Sequence, residues 1–538
     1  MDRPRAALTA RPPAEISARA VAWLAAGPLA LLAVFVAVPL LAVFAQGLGA
    51  GLASVLGDPV TWRVLGYTTA QAVASTLLAL LAGLPAAYVV SRLAFPGRRL
   101  LLVVLVVPFV LPTVVVGLAF RALVPGLTGT TAAVLLAHVF FNVGVVVRVV
   151  GGLWSHLDPR AGRVAATLGA RPWQAFRAVT WPLLRPAVAA AAALVFVFTF
   201  TSFGVVLVVG DPAQPTLEVE IYRRAIQLFD LPGAAALALL QVVAVGAALA
   251  VTASLQRRLG TAQRLRPDAM SRPRSRADRA LLALVVAEAV LVVAPLAALG
   301  TRSLRVGGGW GLGWYRALWS PQGGTTRDVA LAESLRVSVT YAVVATALAL
   351  LLGVSAACAI AYARRGGAAL DTAVALPLGV SAVTLGLGLL LASVSGPVDL
   401  RGAWIAVPLG QALVATPLVV RTVLPVLRSV DPRLREVAAT LGAGPWRAWS
   451  AVDGAQLTRA AGVAAGLACG VSLGEFGATA FLARADAPTV PVLLVRLLGR
   501  PGEANSGQAA ALAMVLVLLT AAVVLATERW RAPGTGAL

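Results

Sequence analysis

The chain has 538 residues, 59% of them hydrophobic and only 12% charged, with a mean hydropathy of +0.88. Charge is about half as frequent as in soluble domains, and apolar runs of about 20 residues recur throughout, which excludes an ordinary soluble globular protein and fits repeated bilayer crossing. The net charge of +22 does not signal nucleic acid, because no basic domain stands apart from the apolar runs; arginine-rich loops on one membrane face account for it.

Arginines open the chain and an apolar run follows over 20–46. That run is too long for the h-region of a cleaved signal peptide, so it reads as the first span. Further spans are predicted over 66–91, 100–124, 132–154, 187–209 and 234–256, then over 280–301, 335–363, 371–394, 402–424, 460–482 and 508–527. Helix is the assignment throughout, since lipid offers no partner to free backbone groups. The expected fold is an all-α membrane protein of about 12 transmembrane helices in two six-helix halves. The halves are 1–256 and 280–538, joined by a basic, proline-broken linker over 257–279. Six spans per half is an even number, so the two halves point the same way, as a parallel repeat. With both termini in the cytoplasm, 31 of the 44 arginines fall inside, among them Arg3, Arg5, Arg92, Arg98, Arg99, Arg364, Arg365 and Arg529. Arginine-rich loops resist translocation, which favours that orientation.

Every one of the 44 basic residues is arginine. A chain without lysine cannot build the GxxxxGK[ST] loop, whose lysine reaches the nucleotide phosphates. Cys358 and Cys469 lie in apolar runs and read as small core residues. Two cysteines and two histidines, His138 and His156, are too few for a disulfide framework or a metal cluster.

The strongest internal signal is a duplicated polar loop. Arg163–Trp173 (RVAATLGARPW) returns as Glu436–Trp446 (EVAATLGAGPW), 273 positions later, and 22 of 48 positions match without a gap from Leu157–Gly204 to Val430–Gly477. Asp158 before Pro159, and Asp431 before Pro432, predict a helix capped by the acid with proline at its first position. Gly169 and Gly442 predict the left-handed turn that ends it. A second helix follows from Pro172 or Pro445, with Trp173 and Phe176, or Trp446 and Trp449, on one face. The product is a helix–turn–helix bracket at the membrane surface, over 157–186 and 430–459. Such a bracket can anchor in lipid headgroups, or it can dock a cytoplasmic partner that has two equivalent sites.

This loop resembles the EAA motif of permease subunits of binding-protein-dependent ABC importers. The second copy carries it as Glu436, Ala438, Ala439 and Gly442, the first as Arg163, Ala165, Ala166 and Gly169. Two departures stand out: Arg163 occupies the glutamate position, and Ala455 replaces the proline seen at Pro182. The resemblance covers nearly the whole chain and implies a duplicated type I importer transmembrane domain in a bacterial inner membrane, embedded in lipid. It also implies a separate ATPase dimer holding ATP and magnesium on the coupling loops, an extracytoplasmic substrate-binding protein, and no cofactor, metal or catalytic residue on this chain. LLAHVFFN (Leu135–Asn142) and TFTSFGVVLVVGDPAQPTLEVEIYRRA (Thr199–Ala225) look like the thiamine-importer permease. Iron(III) importers, which share the SFG and Thr-Glu-Ile-Tyr flavour, are the alternative.

By that analogy the substrate path lies between the halves, lined by Thr199, Thr201, Ser202 and Phe203 on the fifth span and by Ser472, Glu475 and Phe476 on the eleventh. A membrane-embedded acid usually faces water or a partner, so Glu475 beside two phenylalanines would suit an aromatic cation; the blander alternative is that it pairs with a buried arginine or sits at the outer rim. His138 and Asn142 share a helix face and are expected to bond between helices. Glu288 is expected to be structural, and Glu218 and Glu220 are expected to be solvated charges in an outer loop, with contact to the binding protein as the alternative. An ion-gradient-driven secondary transporter would share the layout but calls for more charges inside its spans. A substrate-free membrane scaffold or insertase is the remaining class.

Overall fold

A computed structural model describes residues 18–158, 160–259, 270–273, 275–319, 331–363, 365–395 and 403–528. The expectations for Arg3, Arg5, Pro159, Arg364, Arg529 and linker residues 260–269 and 274 concern residues outside that set.

Among the described residues, ten unbroken helices are long and apolar enough to cross a bilayer. In the first half these are α1 (Arg19–Gly47), α2 (Pro59–Arg92), α5 (Thr131–Trp154), α7 (Pro172–Phe200) and α9 (Leu231–Leu259). In the second they are α10 (Arg276–Leu304), α11 (Leu331–Tyr362), α14 (Ala406–Ser429), α16 (Trp446–Gly474) and α18 (Glu503–Glu528). The expected third and ninth spans are not straight. Each is a bent pair: α3 (Arg98–Val110) and α4 (Thr113–Leu123) meet at 111°, and α12 (Gly367–Gly379) and α13 (Ala382–Ser395) at 87°. Pro112 forces Leu111 out of helical geometry, and Leu111 is extended (ψ 144°). In the second copy Ser381 caps the new helix, accepting the amide of Thr384 at 3.0 Å. Counting each bent pair as one span gives six per half among the described residues, the predicted number.

Two smaller corrections concern the fifth and eleventh spans. Their helices begin well before 187 and 460, inside the repeated loop, so each bracket runs without interruption into a membrane rod. Each rod passes through one π-helical turn, Phe176–Thr180 or Ser450–Gly454.

Small residues set the interhelical distances, since without a hydrophobic drive in lipid, helices associate through close packing. A β-carbon on Gly83 of α2 would stand 2.6 Å from Val146 Cβ of α5; on Gly353 of α11 it would stand 2.7 Å from Val419 Cβ of α14. The equivalent contact in each half marks the two-fold relation. The halves also exchange their first spans: α1 packs on α11 and α13, while α10 packs on α4 and α2.

Candidate functional site

The two brackets are built alike. The first helix, α6 (Arg160–Thr167), starts where Asp158 Oδ1 accepts the Arg160 amide at 2.9 Å; its counterpart α15 (Pro432–Thr440) starts where Asp431 Oδ1 accepts that of Arg433 at 3.0 Å. Both end in the same double bond pattern. Ala170 N–H donates to Ala165 C=O and Gly169 N–H to Ala166 C=O, each at 3.0 Å; Ala443 to Ala438 and Gly442 to Ala439 repeat it at 3.0 Å. That is a Schellman cap, and it requires the left-handed φ of +83° at Gly169 and +85° at Gly442. The motif alanines thus supply the carbonyls that close the turn.

Three apolar side chains stand out of each bracket at matched positions. Leu168 is 82% exposed and Leu441 83%, with Val164, Val437, Trp173 and Trp446 also more than half exposed. Ala166, Ala439 and Glu436 are exposed as well, while Ala165 and Ala438 are half-buried. The side chain of Arg163 lies outside the described residues. Matched apolar projections of this kind suit either insertion among lipid headgroups or a docked partner.

The brackets differ in how they are tied down. In the first, Trp173 stacks on Phe176 (5.7 Å), Phe176 on Trp154 (6.2 Å), and Trp154 packs on Tyr88 at the end of α2 (5.4 Å). The Tyr88 hydroxyl donates to Asp278 Oδ1 at 2.9 Å, at the start of α10. In the second, Trp446 stacks on Trp449 (5.1 Å), and Trp449 Nε1 donates to the hydroxyl of Tyr362 (3.0 Å) at the end of α11. Tyr362 donates in turn to Asp453 Oδ1 at 3.0 Å, and Arg435 holds both Asp453 oxygens at 2.7 Å. Asp453 is wholly buried, and its carboxylate raises the pKa of Arg435 further above the ordinary range. Sequence reasoning missed this network. Its trace was there: against the first copy, Gly162 becomes Arg435 and Thr180 becomes Asp453, a paired gain of opposite charges.

α7 and α16 leave the brackets and cross to the opposite face. Twenty-nine residues at 1.5 Å each make α7 about 43 Å long. Just past the ends of the two rods, Phe203 and Phe476 stack on each other with centroids 4.9 Å apart and planes 6° from parallel. They are repeat mates, so they meet where the two-fold axis passes between the halves. Tyr222 of α8 (Leu217–Tyr222) packs on Phe203 at 5.2 Å and stands edge-on to Phe481 of α17 (Thr479–Leu482) at 5.9 Å. Both phenylalanines of the stack are buried, so the cluster forms an aromatic plug in the seam between the halves.

The remaining path candidates are largely occupied. Glu475 is spent on local bonds: it is buried, Oε1 accepts the Ala478 amide (2.7 Å), and Oε2 accepts the Thr479 amide (3.0 Å) and hydroxyl. It caps α17. Ser202 hydrogen-bonds His138 Nε2 at 2.8 Å, and His138 Nδ1 bonds Ser75 at 3.0 Å, so this histidine ties α2, α5 and the end of α7. Asn142 bonds within its own helix, donating to His138 C=O at 2.9 Å, rather than between helices as expected. Thr199 donates to Val195 C=O and Thr201 to Val197 C=O, both at 2.8 Å. Ser472 is buried with an unpaired hydroxyl, and Glu288 is half-buried on α10.

The outer-loop acids overturn their expectation. Glu218 and Glu220 on α8 are buried, not solvated. Glu220 pairs with Arg224 at 3.1 Å, and Arg224 also reaches Asp58 at 3.4 Å. The sequence shows only that these acids follow an apolar span; that α8 folds back under the plug is a tertiary fact. Among the described residues no cluster of histidine, cysteine, aspartate and glutamate could hold a metal ion.

Comparison with known proteins gives a coherent set. Residues 75–264 match the family model described as binding-protein-dependent transport system inner membrane component. The thiamine transport system permease protein ThiP of Brucella abortus (strain 2308) is 30% identical over 532 residues, covering 93% of this chain and 94% of that protein. ThiP of Escherichia coli (strain K12) is 28% identical over 492 residues, covering 86% and 88%. The E. coli sulfate transport system permease protein CysT is 35% identical over 173 residues, or 29% of this chain and 62% of its own.

Proposed function

Since the chain belongs to the family of binding-protein-dependent transport system inner membrane components, we propose that it is the fused permease of an ATP-driven thiamine importer. It is a multi-pass membrane transport component. The names of the relatives favour thiamine over iron(III). An ATPase dimer, holding ATP and magnesium, docks on the two brackets from the cytoplasm, where both termini also lie. A substrate-binding protein delivers its ligand at the opposite face.

The observation that carries this reading is mechanical. α7 and α16 each begin in an exposed bracket and end beside Phe203 or Phe476. When the ATPase closes, the brackets are drawn together and the two rods rock. Helices transmit such motion as rigid bodies. Their far ends part, the Phe203–Phe476 stack separates, and the passage opens toward the binding protein; hydrolysis restores the plug. An ion-gradient transporter has no use for two apolar brackets on one face.

Reconstitution with the ATPase and binding protein encoded nearby tests the proposal. Thiamine uptake into vesicles is expected to need all three proteins and ATP, and to ignore a proton gradient. Uptake driven by the gradient alone would refute it, and accumulation of iron(III) but not thiamine would refute its substrate.

A further inference from the structure

Glu218 is fully buried, yet among the described residues only one of its oxygens is used: Oε1 accepts from Gln241 Nε2 of α9, and Oε2 has no hydrogen-bond partner there. Nor does the amide that holds it complete its own bonding, since Gln241 Oε1 is also unpartnered. Across the boundary between halves the carboxylate approaches the Ser381 hydroxyl. That hydroxyl gives its proton to Thr384 Oγ1 at 3.0 Å. Arg496, beside Tyr222, bonds the Ala485 carbonyl at 3.2 Å and not this acid. A buried carboxylate with a vacant oxygen is costly, and its persistence in a span-packed interior points to function.

The position of Glu218 supplies the rest. Tyr222 is four residues on in α8, hence on the same face, and its ring packs on Phe203, which stacks on Phe476. One helical turn therefore separates the unsatisfied acid from a stack of parallel aromatic faces. The repeat mates of Glu218 and Tyr222 are Pro491 and Val495, so only one wall of the two-fold axis carries this combination.

We propose that Glu218, Tyr222, Phe203 and Phe476 form a latent site for a planar organic cation, exposed when the halves part at the plug. The two phenylalanine faces, now satisfied by each other, accept the ligand's ring between or against them, and ring faces attract a cation. The vacant carboxylate oxygen takes the positive charge or an N–H of the ligand. On closure the rings restack and the ligand is expelled, which gives a site that binds only in transit. This site rests on the permease reading, which it makes specific for cations.

The test uses the complete permease–ATPase–binding-protein complex in nanodiscs, arrested with vanadate, and two probes. Thioflavin T, a planar benzothiazolium whose fluorescence rises on confinement, reports the site; radiolabelled thiamine uptake in vesicles reports the substrate. Glu218→Gln, which can still bond Gln241, and Phe476→Leu are each expected to weaken thioflavin T binding about tenfold. Glu218→Gln is expected to raise the concentration of thiamine-loaded binding protein needed for half-maximal uptake, while ATP hydrolysis stimulated by that protein continues. Unchanged thioflavin T affinity in both folded variants would overturn the site. A wild-type complex that binds thioflavin T but takes up no thiamine would instead remove the substrate assignment and leave the site standing.

Discussion

Removing the guanidinium of Arg435 isolates a charge. Asp453 has no solvent exposure, and its three side-chain bonds are two from Arg435 at 2.7 Å and one from Tyr362 at 3.0 Å. In Arg435→Met the carboxylate keeps only the tyrosine. Leaving one partner of a buried pair alone costs about 3–5 kcal/mol. The Arg435 side chain is 30% exposed, so water enters beside it and the lower end, about 3 kcal/mol, applies. At 1.4 kcal/mol per decade that is about a hundredfold more frequent opening of the second bracket. The first bracket, with Gly162 and Thr180 at the matched places, is untouched. Hydrogen exchange of the amides from Val437 to Ala443 in nanodiscs measures the change, with the amides from Val164 to Ala170 as internal reference. Arg435→Met paired with Asp453→Leu is expected to recover most of the loss, because no buried charge remains. A single-variant cost under about 1 kcal/mol, or a double variant no better than Arg435→Met alone, would show that the ion pair does not hold the bracket.

Other outcomes follow from single contacts. Gly442→Val is expected to cost roughly 1–2 kcal/mol through its left-handed backbone; since nothing lies within 4 Å of the added β-carbon, Gly442→Asn is expected to restore most ATPase coupling, read as stimulated hydrolysis against uptake. Trp173→Ala together with Trp446→Ala is expected to weaken ATPase co-purification at least tenfold while lowering the melting temperature of the free permease only slightly, since both rings are mostly exposed and each loses one stacked neighbour; equal retention would refute the docking role. Glu475→Ala removes the cap of α17 and is expected to cost about 1 kcal/mol, seen in thermal unfolding, while the preference for cationic over neutral ligands stays unchanged. A changed preference would return Glu475 to the substrate path. Gly83→Leu is expected to abolish folded protein in detergent extracts, because Val146 stands where its β-carbon must go.

Much of the architecture was readable from the chain alone because lipid leaves few choices. Apolar runs must be helices, because free backbone groups find no partner in lipid. Capping chemistry is equally local: aspartate before proline and glycine after the alanines dictated both ends of α6 and α15. What eluded the sequence was partnership across distance. Glu475 and Glu218 look alike in a string of letters, each an acid at the edge of an apolar run. Folding turned Glu475 onto the amides of its own short helix and left Glu218 half-paired between the halves. Phe203 and Phe476 were named as path residues, yet only tertiary structure stacked them face to face, because the rods α7 and α16 converge there. Local hydrogen bonds and hydropathy are written in neighbouring residues; which way a buried charge is turned depends on how distant segments pack, as where Arg224 reaches Asp58 across 166 positions.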